Sequence, residues 1–205
     1  MLRGMNQTTI KNRQIRAQFN SDTIRVYQAY SSLIALSALH HGRFVSPPFK
    51  MERMTWIKPS FLWMMYRTGW GHKDDGQKTI LAIDIRREGF EWALAHSCLS
   101  HPPAGVSAEE WATLKADNPV RIQWDPERDL HLQPLDYRAI QVGLSGEAVS
   151  LYTGQWIQQI TDISEQALAI ESLVKQGKLT EAKALLPVEH EYPVHAEIAR
   201  RLEMT

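Results

Sequence analysis

An α+β fold is what this 205-residue chain predicts: a small split or mixed sheet of four to six short strands, flanked by helices and followed by a helical C-terminal extension. Three observations carry the expectation. Residues 23–30 (TIRVYQAY), 120–124 (VRIQW) and 137–144 (YRAIQVGL) alternate or run apolar with β-branched and aromatic content, as strands do. Between them, Ser stands before apolar runs and Gly after them, the punctuation of helices. From residue 164 onward the apolar spacing is helical. The length suits one domain, divided into a flexible basic arm (1–20), an α+β core (21–162) and the helical extension (163–205).

Each element has its own local signal. In residues 23–30, Ile24, Val26, Gln28 and Tyr30 share one face, and Arg25, Tyr27 and Ala29 the other. Ser31 or Ser32 caps a helix through Leu39, and Gly42 stands where a terminating glycine belongs. Pro47-Pro48 then breaks the chain. Pro59 suits a first helical turn, the helix runs from Ser60 to Thr68, and Gly69 ends it. A turn at 72–77 leads to an interior strand at 79–85 (TILAIDI) and a helix over 88–98. Ser107 and Glu110 spell a capping box that opens a helix through Trp111 and Leu114. A turn at 125–129 (DPERD) separates the strands 120–124 and 137–144. Ser145 caps a helix to about residue 160, and helices follow over 167–175, 180–186 and 194–202.

Composition excludes several functions. Lys plus Arg (23) balance Asp plus Glu (23), so no global charge draws the chain toward nucleic acid or anionic lipid. Locally the balance fails. Residues 43–73 hold Arg43, Lys50, Arg53, Lys58, Arg67 and Lys73 against the single acid Glu52, a net +5. One cysteine, Cys98, leaves no internal disulfide and fits a reducing, cytoplasmic compartment. In its apolar run it reads as a small buried hydrophobe. No apolar stretch approaches the roughly 20 residues of a membrane helix, so no membrane partner is expected. The eight His form no His-x-x-x-His and Cys-x-x-Cys is missing, so no metal is expected either. Gly-rich dinucleotide and phosphate loops and the Gly-x-Ser-x-Gly elbow are also absent, and Ser145 reads as a helix cap.

What remains is a constellation. Residues 53–70 (RMTWIKPSFLWMMYRTGW) pack three Trp and three Met with permanent cations among them. A Lys or Arg in such a stretch must snorkel to water, pair with an anion or lie on an aromatic face. The segment is therefore the wall of a site for a flat anionic ligand, or a buried helix whose cations reach solvent. Trp63, Tyr66, Arg67 and Trp70 fall on one stripe of it. Lys58 and Ser60 flank Pro59 at a helix N-terminus, where a cation and free N–H groups suit a phosphate. The plainer reading there is a Ser60 cap and a solvated lysine. Gln28, beside Tyr27 and Tyr30, is the hub of a core polar network or an amide for a ligand. Arg138 and Gln141 lie on opposite faces of their strand, and Glu147 is the sole acid between Asp136 and Asp162.

Several of these stretches resemble a known family. VYQAYS (26–31), GRF (42–44), the 53–70 segment, LAIDI (81–85), VRIQWDPERDL (120–130) and YRAIQVGLSGEAV (137–149) are similar to the domain of unknown function 4291 family, over about residues 15–165. That resemblance implies no activity. The order of elements also resembles the ADP-ribosyltransferase fold: a strand reading apolar-Tyr-(Arg or His), a helix ending in Gly, a nicotinamide-holding element and a late acid. Val26-Tyr27-Gln28, the helix to Gly42, the 58–66 element and the 138–147 region follow that order. Gln28 stands where Arg or His is usual, no Ser-Thr-Ser occurs, and Glu147 lies beyond its strand.

The second resemblance implies an enzyme that uses NAD as substrate and transfers ADP-ribose, with RNA or DNA as the acceptor that the local +5 would attract. Tyr27, Tyr30, Gln28 and Tyr66 would hold the nicotinamide half, and Lys58, Ser60 and Arg67 the pyrophosphate. Glu147, with Gln28, would be catalytic. The alternative is a non-catalytic module for a nucleotide or single-stranded nucleic acid. There Trp63, Tyr66 and Trp70 stack on bases while Arg53, Lys58 and Arg67 track phosphates, with Arg138 as a further substrate contact. In a third reading the aromatic segment is only core and the C-terminal helices dock a partner protein.

Overall fold

The computed structural model describes residues 12–102 and 105–204. A short strand β1 (Arg16–Ala17) leads into β2 (Thr23–Tyr30), whose bounds are those of the alternating segment. Helix α1 (Ser32–His41) ends at Gly42, whose φ of 64° no β-carbon favours. A loop then carries the chain to β3 (Thr55–Ile57) and α2 (Phe61–Thr68). Ser60 Oγ accepts the Trp63 N–H at 3.2 Å, and Gly69 closes the other end, so local chemistry alone delimits α2. A 3₁₀ turn (Asp75–Gln77) precedes β4 (Thr79–Arg86), α3 (Arg87–Ala95) and β5 (Ser97–Leu99). The Ser107/Glu110 capping box opens α4 (Ala108–Asp117), and β6 (Val120–Arg128) and β7 (Pro134–Leu144) pair as a long hairpin. Helix α5 (Glu147–Leu151) and a π turn (Tyr152–Trp156) lead to β8 (Ile157–Asp162). Then come α6 (Ser164–Lys175), α7 (Leu179–Ala184), β9 (His190–Glu191) and α8 (Ala196–Arg201).

The result is an α+β protein with two main sheets. One has the antiparallel order β2-β4-β8; the other is mixed, β3-β7-β6-β5, with only β5 and β6 parallel. They meet where the Tyr27 N–H donates to the Lys58 carbonyl at 2.7 Å. Strand β2 is apolar on both faces for that reason. Ile24 and Val26 enter the larger core with Ile83, Ile85, Ile122 and Val142, while Tyr27 enters a second core under α2, α6 and α7. Arg25 and Asp84, directly opposite across β2 and β4, form a two-pronged ion pair at 2.7 and 2.8 Å. Gly89 is required by close packing, because a β-carbon there would lie 2.3 Å from the Trp156 indole.

Four expectations are corrected, each by pairing that local sequence cannot see. The helix expected over 88–98 stops at Ala95, and Cys98 lies in β5, drawn into strand by parallel pairing with β6. The helix expected from Ser145 to about residue 160 is five residues and a π turn, because the edge of β4 takes residues 157–162 as β8. Ser145 caps nothing: its hydroxyl donates to the Pro119 carbonyl at 2.7 Å. Strand β6 runs on through Asp125-Pro126, with a bulge between Pro126 and Arg128 that accommodates the missing proline N–H. The reversal falls instead at Asp129–Gln133, where the Asp129 carboxylate accepts the His131 and Gln133 N–H groups, both at 2.8 Å.

The two ends of the chain pack on the core. Residues 1–11 of the expected arm lie outside the described residues, but Ile15 and Ala17 are fully buried and β1 pairs with β9. Tyr192 is buried under α3 with its hydroxyl on Glu91 at 2.8 Å, and the Trp124 indole N–H reaches the Leu202 carbonyl at 3.0 Å. Arg13 and Glu203 pair directly.

Candidate functional site

A cavity of about 390 Å³ opens beside the C-terminal half of β2, within the range of roughly 300–1,000 Å³ typical of small-molecule sites. Strand β2 contributes Gln28 and Tyr30, and α1 contributes Ile34. The loop before β3 supplies Phe49, Lys50, Arg53 and Met54; β3 supplies Thr55 and Trp56; Lys58, Met64 and Arg67 come from the start and end of the α2 segment. Four cations and no carboxylate line it. Among the described residues none of the four makes an ion pair, although the chain holds as many acids as bases. The remaining wall mixes apolar side chains (Ile34, Phe49, Met54, Trp56, Met64) with the polar Gln28, Ser31, Thr55 and Gln77. Gly143 lets the Trp56 indole lie against β7, since a β-carbon there would be 2.9 Å from the ring.

Lys58 is the unusual member. It is 5% exposed, and its amine has one acceptor among the described residues, the Trp56 carbonyl at 3.2 Å. An ammonium carries three donors, so two lack a hydrogen-bond partner among the described residues. Burial, and after it the Arg67 guanidinium, lower this amine to about 7, with the Asp125 charge acting in the opposite direction. Arg53, Arg67 and Lys50 stand at the solvent-facing rim, each exposed.

Behind Lys58 the floor of the cavity is a closed polar network. The two hydrogens of Gln28 Nε2 are shared among three acceptors, Tyr30 Oη (2.9 Å), Thr55 Oγ1 (2.8 Å) and the Trp56 carbonyl (3.2 Å). Its Oε1 accepts from the buried Tyr152 hydroxyl at 2.7 Å. Tyr30 and Thr55 are themselves joined at 2.9 Å, and burial pushes the Tyr30 hydroxyl up to about 12. Gln28 is therefore the hub of a core network that fixes Tyr30 and Thr55. Its amide is spent within the protein.

The other side of the same segment is acidic. Ser60 Oγ donates to Glu127 Oε1 at 2.9 Å, and that oxygen also accepts the Arg128 N–H at 2.8 Å. Glu189 Oε1 accepts the Phe61 N–H at the start of α2, at 2.8 Å. Burial raises both carboxyls, Glu189 to about 8 with the neighbouring Glu127 charge adding to the effect. Part of the Glu189 residue reaches the surface while its carboxyl is enclosed.

The sequence-derived residues thus divide. Gln28, Tyr30, Arg53, Lys58 and Arg67 meet at the cavity. Ser60 is turned to Glu127, and Tyr27 is buried in the second core, 5.6 Å from the Phe61 ring. Glu147 is exposed at the start of α5 and does not line the cavity. Arg138 donates to the Trp124 carbonyl at 3.2 Å, away from the cavity. The stacking trio fares worst. Trp63 and Trp70 are 5% and 7% exposed, and the Arg128 guanidinium covers the half-exposed Tyr66 ring at 3.5 Å. Lys50 and Thr55 line the cavity as well, and Tyr152, Glu127 and Glu189 support it from behind through their hydrogen bonds, none of them a candidate from the sequence. Only Lys50 carried a signal, as part of the basic run. Among the described residues no three His, Cys, Asp or Glu side chains converge to hold a metal, and no helix is long and apolar enough to cross a membrane.

Fold and site together define an α+β protein of two meeting sheets with a cation-lined cavity beside the strand where they join. The family described as Domain of unknown function (DUF4291) matches residues 14–192, and the chain belongs to it. No curated protein matches the chain.

Proposed function

We propose that the cavity binds a flat, phosphate-bearing ligand of the nucleotide class. The observation that carries this is the set of four cations, one of them buried, converging on a partly apolar cavity without a carboxylate. Burying a lysine amine without an anion is unfavourable, and an arriving phosphate relieves it. Phe49, Met64 and Trp56 offer the apolar wall a base or nicotinamide ring needs.

NAD is the first ligand to test. The order of β2, the helix ending at Gly42 and the split pair of sheets supports an ADP-ribosyltransferase-like fold and, with it, transfer of ADP-ribose, and the single cysteine fits a cytoplasmic setting. The transfer step has weaker support than the binding, because Glu147 stands outside the cavity and Gln28 is engaged internally. Single-stranded nucleic acid as partner or acceptor would have to be held by Arg53, Lys50 and Arg67 at the rim, without the buried indoles.

Thermal shift and calorimetric titration with NAD, ADP-ribose, ADP and adenosine test the reading. The three phosphate-bearing ligands raise the melting temperature and bind with affinity that falls as salt rises, while adenosine binds far more weakly. Equal binding of adenosine and ADP, or binding of none, overturns it. NAD turnover, measured as nicotinamide release, separates an enzyme from a binding module.

A further inference from the structure

We propose that Lys58 is a nucleophilic amine that forms an imine with a phosphate-bearing aldehyde or ketone held in the cavity. The geometry has three parts. The amine is buried at the cavity wall, its one acceptor among the described residues is a backbone carbonyl, and no carboxylate pairs with it. Arg53, Arg67 and Lys50 at the rim would anchor the phosphate. Met64 and Trp56 supply the apolar surroundings in which a lysine becomes a nucleophile.

The chemistry is self-contained. The neutral Nζ lone pair attacks the carbonyl carbon, the C–N bond forms, and the C=O π electrons move to oxygen, which takes a proton. One amine proton leaves to solvent, giving the carbinolamine. Its hydroxyl then departs as water with an added proton, the nitrogen lone pair closes the C=N bond, and the second amine proton is released. The net change is amine plus aldehyde to imine plus water, with no oxidant or reductant.

Burial supports the same assignment. An amine lowered to about 7 is neutral in roughly half of the molecules near pH 7, so it is a cation in one protonation state and a nucleophile in the other. A solvated lysine is neutral to only about one part in a thousand there. Lower basicity gives back part of that gain, as a Brønsted slope near 0.5 describes for thiols, leaving an advantage of about tenfold.

The phosphate anchor rests on the nucleotide-binding reading, whereas the nucleophile rests on the placement of Lys58 alone. The test separates them. The full chain is treated with pyridoxal 5′-phosphate, or with pyridoxal, reduced with borohydride, and digested for peptide mass mapping. The expected result is one adduct per chain, on Lys58, formed about tenfold faster than on surface lysines such as Lys73 and Lys78. Inorganic phosphate slows it, and pyridoxal reacts far more weakly. Lys58→Arg, shown to be folded by its melting transition, loses the adduct, whereas Lys73→Arg, outside the cavity, keeps it at the wild-type rate. Label spread over surface lysines, or pyridoxal 5′-phosphate that raises the melting temperature without modifying Lys58, overturns the nucleophile. Equal labelling of Lys58 by both aldehydes leaves the nucleophile standing and overturns the phosphate anchor.

Discussion

Two buried charge clusters flank residues 58–61, and they are built on opposite principles. On one side Glu127 and Glu189 sit against the start of α2, each accepting protein donors: the Ser60 hydroxyl and Arg128 N–H for one, the Phe61 N–H for the other. On the other side Lys58 faces a cavity with a single carbonyl for a partner and three further cations around it. The acids are components of the fold, tying α2 to β6 and to the segment before β9. The lysine is a group whose electrostatic needs the fold leaves open. Buried polar groups with protein partners hold structure together, and a buried amine with few of them is the ground on which a ligand is proposed.

The contrast predicts opposite signs for opposite substitutions. Lys58→Met is expected to weaken binding of ADP by about 30–100-fold, or about 2–3 kcal/mol, the worth of a charge-assisted hydrogen bond. The same change stabilises the unliganded protein by about 1–4 kcal/mol, because it removes a buried unpaired cation. Calorimetric titration and chemical denaturation check the two effects. A destabilised Lys58→Met protein with unaltered affinity would erase the distinction between the clusters.

Glu127→Ala should behave in the other way. It strands the Ser60 hydroxyl and the Arg128 N–H and costs about 2–3 kcal/mol of stability. Affinity for ADP, measured on the folded fraction, stays within about twofold.

The pH dependence of stability sharpens the comparison further. Glu189 is raised in the folded state from its ordinary 4.5 to about 8, so its favourable contribution is complete below about pH 4.5 and is lost as pH rises through about 8. Lys58 is lowered from 10.5 to about 7, so its contribution is complete above about pH 10.5 and falls away as pH drops toward 7. The two trends oppose each other and leave a trough in stability near pH 7–8. Glu189→Gln keeps an acceptor for the Phe61 N–H and should flatten the acid limb, raising stability at pH 8 by about 1–2 kcal/mol. Urea denaturation across pH 5–10 measures this, and an unchanged acid limb in the variant would remove Glu189 from the account.

The smallest effect concerns the aromatic stripe. Tyr66→Ala should change affinity for a single-stranded oligonucleotide by less than about 0.5 kcal/mol, because Arg128 already occupies the ring face. A loss of roughly 1–3 kcal/mol would restore the stacking surface.

These contrasts also show what was legible in the amino-acid order. Strand β2 and helices α1 and α2 follow from period, a serine before and a glycine after, all within a few residues of each other. The basic run 43–73 is equally plain in the sequence; four of its six cations, Lys50, Arg53, Lys58 and Arg67, line the cavity, and Arg43 and Lys73 do not. What was not legible depends on distance along the chain. Gln28 meets Tyr152, Ser60 meets Glu127 and Phe61 meets Glu189 across separations of 124, 67 and 128 residues. Strand β8 is a strand because β4 offers an edge, and its own residues read equally well as helix. Trp63 and Trp70 looked like a binding stripe because helical periodicity reports a shared face without saying whether that face meets ligand or core.

The most direct measurement is the calorimetric titration of wild-type protein with ADP and with adenosine at low and high salt, run beside Lys58→Met. Micromolar binding of ADP that weakens at least tenfold with salt and again with the substitution, together with little binding of adenosine, is the predicted result. Absence of heat with ADP at low salt, or an affinity indifferent to both salt and Lys58, would contradict it.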